Sequence, residues 1–226
     1  MVWFFLCVSV CIIIFNGIIF AQQTNIRQQA QKINTIPRPS AAQIIPQFLQ
    51  HHRVPLTKIS RSPLKRKQNN TFFSLENRIE LNPEFYDSND IISISVACHE
   101  AGHAAMEYNN KKLMKRMRTS FNIISSIAMS CLLYSIISII MLVGYGAMLH
   151  GLLGIMLAYF LLAICNTHKL FPEWNATRLA LNYIQEKHLA TTEEFILAKK
   201  YLTLCFLTYM TSIIISATVA LALLLL

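Results

Sequence analysis

None of the six cysteines belongs to a Cys-x-x-Cys pair, so the chain lacks the usual sequence mark of a thiol metal site or redox centre. Cys7, Cys11, Cys131, Cys165 and Cys205 lie in or beside apolar runs and read as small packing residues. There is no internal repeat. Basic residues far outnumber acidic ones, for a formal net charge of +9, yet neither a nucleic-acid-reading fold nor interleaved aromatics accompany the run Lys65, Arg66, Lys67. Nucleic acid is therefore not expected as a partner, and that run reads as a solvated loop beside anionic lipid. At 226 residues and 54% apolar composition, the chain has more hydrophobic surface than one soluble domain can bury. The surplus must face a lipid bilayer.

Three or four stretches are long enough to cross about 30 Å of hydrocarbon: residues 2–21, 123–143, 149–165, which is the short one, and 202–226. The first lacks a basic n-region and has Ile19 where a small residue would precede a cleavage site, so it is expected as a retained anchor. Lys111, Lys112, Lys115, Arg116 and Arg118 crowd the entry to the second span, whereas the connection 144–150 has no lysine or arginine. Because flanking basic residues stay on the cytoplasmic side, residues 22–121 and 166–201 are expected there, with both termini outside.

This divides the chain into an anchor (1–21), a Gln/Asn-rich linker (22–39), a cytosolic region with the first motif (40–121), a two-span hairpin (122–165), a second cytosolic region (166–201) and a last transmembrane helix (202–226). In the first cytosolic region Ser40 is expected to cap a short amphipathic helix over 41–49 that Pro46 either kinks or confines to a turn or two. A strand follows at 54–59, and alternation of Phe73, Leu75, Ile79 and Leu81 with polar residues predicts another, ending at Pro83. Asp87 or Ser88 is expected to cap a helix over about 89–108. Pro172 is placed to open a helix over 172–187, and Thr191 with Glu194 forms a capping box for the last one.

The chemistry is concentrated in His99-Glu100-Ala101-Gly102-His103, a His-Glu-x-x-His run on the predicted helix. Residues four apart share a helix face, so both imidazoles can reach one tetrahedral ion. Glu100 is turned about 100° away, where it can take a proton from water attacking a carbonyl. A catalytic zinc has three protein ligands, so a third is needed on the same membrane side. Two crossings return the chain to that side before Glu173, which is also favourable there as an acid at a helix N-terminus. Glu186, Glu193, Glu194 and His168 have equally suitable chemistry.

The motifs resemble those of the YugP-like neutral zinc metallopeptidases, a family of predicted bacterial membrane enzymes. The resemblance rests on Val96 to Ala104, reading VACHEAGHA, and on Pro172 to Leu181, reading PEWNATRLAL; it extends to Glu194, Ala198 to Lys200 and Leu207 to Tyr209. It implies one Zn2+ per chain on His99, His103 and Glu173, Glu100 as catalytic base, and Arg178 as a supporting partner of the site. The fold implied is a mostly α membrane protein of about four transmembrane helices with a small cytosolic α+β, zincin-like region. Hydrolysis of a protein or peptide, a membrane protein among the candidates, at the cytoplasmic face of a bacterial inner membrane is the activity to expect. An Asp-His-Tyr-Asp-Pro segment expected before the strand is absent, and Met106 stands in place of a glutamine.

Three other readings compete. HtpX-like membrane proteases share the first motif but have an aspartate where this chain has Thr177, and site-two proteases take an aspartate from a later span, which spans two and three lack. A non-catalytic membrane assembly factor would need the histidines but not Glu100. An extended peptide substrate is expected to add to the strand 77–81, just before the metal helix.

Overall fold

The computed structural model describes residues 2–33, 36–55, 57–62, 70–141 and 145–224, with the side chains of residues 2–9, 141 and 145–148 left out. The basic run at Lys65 lies outside that description, as does residue 144 of the expected 144–150 connection, the rest of which is helical. Ten elements follow in order: α1 (Val2–Lys32), α2 (Ala41–His51), β1 (Lys58–Arg61), β2 (Thr71–Phe73), β3 (Arg78–Leu81), α3 (Pro83–Tyr86), α4 (Ile91–Asn109), α5 (Lys111–Met141), α6 (Tyr145–Glu186) and α7 (Thr192–Leu224). They form two compact units, one of residues 1–19, 115–171 and 207–226, the other of 20–114 and 172–206.

The first unit is built from apolar helix segments whose large side chains point outward. Ile123, Ile127, Leu133, Ile137 and Ile140 on α5 and Leu149, Leu153, Leu157 and Phe160 on α6 are all exposed, the reverse of a water-soluble bundle. Small residues take the inside. A Cβ at Gly154 would meet Ser135 Oγ at 2.2 Å and one at Gly151 would meet Ile139 Cγ1 at 2.5 Å, so α5 and α6 approach closely through these glycines, as helices do in lipid. Asn16 accepts a hydrogen bond from Thr211 Oγ1 at 3.0 Å, a polar contact inside this unit. Among the described residues three helical segments are long and apolar enough to cross a membrane, Lys111–Ile140, Leu149–Glu186 and Thr192–Leu224. The first expected span falls in α1, part of whose side chains are outside the description.

The second unit has an apolar core around α4, against which α2, α3, β2 and β3 pack. Ile44, Ile45, Phe48 and Leu49 of α2 meet Ile91, Ile92 and Ile94 of α4, Ile79 and Leu81 of β3, Ile184 of α6 and Leu202 of α7. The local structure departs from expectation at four places, three of them through burial in this core. The polar stretch expected as a linker is helical to Lys32, because Ile26 and Ala30, four residues apart, bury in the core while Arg27 pairs with Glu84 at 2.9 Å. Pro46 does not shorten α2, whose eleven residues are held by five buried apolar side chains. The helix does not restart at Pro172; α6 continues through it, with Ala176, Ala180, Tyr183 and Ile184 buried beyond. The cap of α4 is Asp90, which accepts from Ile92 N and Ser93 N at 2.9 and 3.0 Å, whereas Asp87 pairs with Arg61 and Ser88 donates to Asp90.

The sheet also differs. The alternation over 73–81 belongs to a hairpin, not one strand: Asn77 adopts φ 44°, in the left-handed region asparagine tolerates, and Leu75 sits 92% exposed at the tip. The preceding strand is β1, a few residues later than expected. β3 lies in the centre, parallel to β1 and antiparallel to β2. Both its edges are occupied, so an incoming peptide cannot add to 77–81 as expected.

Elsewhere the local reading holds. Ser40 precedes α2 and its N–H donates to Gln43 Oε1 at 3.0 Å, and the Thr191–Glu194 box closes with bonds of 2.9 and 3.2 Å. Glu194 is wholly buried, its other oxygen paired with Arg38, which also donates to Leu189 O at 2.7 Å.

Candidate metal centre

The site lies within the second unit, where α4 crosses the stretch of α6 beyond Pro172. His99 and His103 come from one face of α4 and Glu173 from α6. What lets the helices meet is the absence of a side chain at Gly102: a Cβ there would stand 3.0 Å from both Cα and O of Ala176. Gly102, inside the first motif, and Ala176, three residues past Glu173, are thus the contact that sets ligand spacing.

The three donor atoms converge. His99 Nε2 is 3.2 Å from Glu173 Oε2 and 3.2 Å from His103 Nε2, and His103 Nε2 is 3.6 Å from Glu173 Oε2. A tetrahedral ion with bonds of about 2.0–2.1 Å separates its ligand atoms by roughly 3.3–3.4 Å. The observed edges bracket that value, and the donor set, two imidazoles and a carboxylate, matches a catalytic zinc with an open fourth position. Their side chains keep 13, 17 and 15% exposure, enough for solvent to reach them.

Thr177 Oγ1 lies 3.2 Å from His99 Nδ1. With the Nδ1 proton donated there, the Nε2 lone pair points to the other two donors, which is how outer partners prepare a histidine for a metal. Glu173 and Thr177 are one helical turn apart, so a single face of α6 supplies both a ligand and the group that orients another. Burial alone would lower the pKa of His103, but its bond to Glu173 and the charges of Glu100 and Glu173 outweigh this and raise it. The cluster is therefore cation-seeking: without a metal, it favours a proton.

Glu100 is buried beside this cluster but does not join it; its Oε2 accepts from the backbone N–H of Phe72 in β2 at 2.9 Å. Cys98, next to His99 in the chain, is fully buried, which pushes its thiol pKa far up and leaves it an inert packing group.

The rival ligands are committed elsewhere. Glu194 is in its buried pair with Arg38, Glu186 is 3.2 Å from His51, and His168 Nδ1 is 3.0 Å from Ile164 O. Glu193, exposed in the first turn of α7, belongs to no metal-competent group among the described residues. Arg178, expected to support the site, is exposed on α6, and it is its neighbour Thr177 that contacts His99. Two contributors escaped the sequence reading. Thr177 carried a signal, its i+4 spacing from Glu173, whereas the Phe72 amide carried none.

A family model described as "Putative neutral zinc metallopeptidase" matches residues 6–226, nearly the whole chain. No curated protein and no solved structure matches it.

Proposed function

Since the chain belongs to this neutral zinc metallopeptidase family, we propose that it is a membrane-embedded endopeptidase that holds one Zn2+ on His99, His103 and Glu173 and uses Glu100 as general base. The observation that carries the reading is the set of three donor atoms at tetrahedral spacing, with Glu100 on the adjoining helix face. A zinc ion in such a site supplies Lewis acidity and acidifies water. The protein's own groups do the rest. Thr177 fixes the His99 ring. Glu100 takes a proton from the attacking water and delivers it to the amine nitrogen as the carbon–nitrogen bond breaks, so it ends the cycle ionised, as it began.

The membrane setting and orientation are part of the proposal. Three helices suit a bilayer by length and composition, and a fourth span is supplied by the apolar run at 2–21. The basic cluster from Lys111 to Arg118 at the start of α5 supports a cytoplasmic location for the site. Substrates on that side are membrane proteins or their cytosolic tails.

The test is zinc per chain, measured on detergent-purified protein, for the native sequence, Glu173→Ala and Glu100→Gln, followed by casein hydrolysis. Native protein and Glu100→Gln should each hold about one zinc, Glu173→Ala should lose it, and only the native protein should cleave. A native protein that holds no zinc even after reloading would leave a structural membrane role as the better reading.

A further inference from the structure

β2 is an edge strand among the described residues, since β3 pairs with it on one side only. Its register places Thr71 opposite Glu80, Phe72 opposite Ile79 and Phe73 opposite Arg78. Backbone groups along an antiparallel strand alternate between facing the partner and facing away. The Phe72 N–H bonds to Glu100, not to β3, so Phe72 is an outward position, with its N–H and carbonyl on the free edge. That edge therefore meets α4 at Glu100, next in the chain to His99, and its outward donor is occupied by the carboxylate proposed to serve as base.

A backbone amide on a free strand edge is what an extended peptide uses when it adds as a further strand. Here one N–H has two possible acceptors, the Glu100 carboxylate within the protein and a carbonyl oxygen of an incoming chain. Resting on the peptidase reading above, we propose that the Phe72 amide is a substrate-docking group that Glu100 covers at rest. An extended peptide docking along the outer edge of β2 then displaces Glu100, so binding and release of the base are one event. The covering also has a protective sense. It satisfies an edge donor that would otherwise invite pairing with any strand, and it holds the carboxylate aside until a peptide is in place.

The experiment uses full-length, zinc-loaded protein in detergent, and two variants that the peptidase reading makes unable to hydrolyse. Glu100→Gln keeps a carbonyl acceptor for the Phe72 amide; Glu100→Ala removes it. A library of fluorescein-labelled, end-blocked octapeptides is titrated by anisotropy. Glu100→Ala should bind about tenfold tighter than Glu100→Gln, the factor for one hydrogen bond of about 1.4 kcal/mol. Adding Phe72→Pro should erase the gain, since proline removes the donor and is tolerated on an outward edge position. Zinc content at the Glu100→Ala level certifies the fold of the double variant. As a readout independent of that variant, hydrogen exchange at the Phe72 amide should speed up in Glu100→Ala and slow again when peptide is added. Equal affinities of the two Glu100 variants, a double variant that keeps the gain, no peptide binding by any variant, or an amide that peptide does not protect would each overturn the proposal. Casein cleavage by Glu100→Gln would instead sink the general-base reading, and the affinity comparison would still stand.

Discussion

Gly102→Ala tests whether the crossing of α4 and α6 sets the metal geometry. The added Cβ would sit 3.0 Å from the Cα and O of Ala176 and 3.3 Å from its Cβ. Carbon atoms at rest prefer about 3.5–4.0 Å, so the helices must part by roughly half an ångström, more than the ±0.2 Å latitude of ligand distances at a zinc site. Two effects oppose each other. Alanine is a better helix former than glycine by about 1 kcal/mol, but it favours α4 with or without metal and so cancels from the binding constant. Overpacking of about 1–3 kcal/mol does not cancel, because the metal-free helices can relax apart while three ligands around one ion cannot. Zinc affinity should therefore fall by roughly 5- to 150-fold, with thermal stability of the chelator-treated protein little changed. Competition against a chromophoric chelator, in detergent, reads the affinity directly. Native affinity in Gly102→Ala would refute the idea that this contact holds His99 and His103 at their distance from Glu173.

Thr177→Val keeps side-chain shape but removes the partner of His99 Nδ1, and zinc affinity should drop about 10- to 100-fold; Thr177→Ser should restore most of it, and a valine variant of native affinity would dismiss the orienting role. Arg38→Met takes away the cationic partner of Glu194 in a site where both side chains are essentially inaccessible, 1% and 0% exposed, so thermal unfolding should show a loss of roughly 3–5 kcal/mol. Adding Glu194→Gln, which keeps the capping box, should recover much of that; no recovery would mean that the uncompensated charge is not the cause.

Much of the site was legible in the residues themselves. The four-residue spacing of His99 and His103 needs only helix geometry to make a ligand pair, and the Thr191–Glu194 box needs only three residues of chain. These are local patterns, so they survive without knowledge of the fold. Glu173 needed more, a resemblance in the second motif, since spacing alone left Glu186, Glu193, Glu194 and His168 open. The misreadings share a physical origin. A period of two cannot distinguish one strand from two joined by a tight turn, so the left-handed Asn77 went unseen. Proline and glutamine content argued for breaks at Pro46, at Pro172 and through residues 22–32, where burial of a few apolar side chains outweighs the local preference.

By itself, then, the sequence determined the helix that carries the His99–His103 pair, the apolar segments too numerous for water, and the chemistry of the candidate ligands, because each follows from periodicity or composition within a short stretch. Only the tertiary structure brought Glu173 up to the two histidines, set Thr177 against His99, enclosed β3 while leaving β2 at an edge, and rested Glu100 on the Phe72 amide. Those outcomes depend on which backbones approach closely enough to touch, here a glycine against an alanine across two helices more than seventy residues apart in the chain, and no pattern along one segment records that distance.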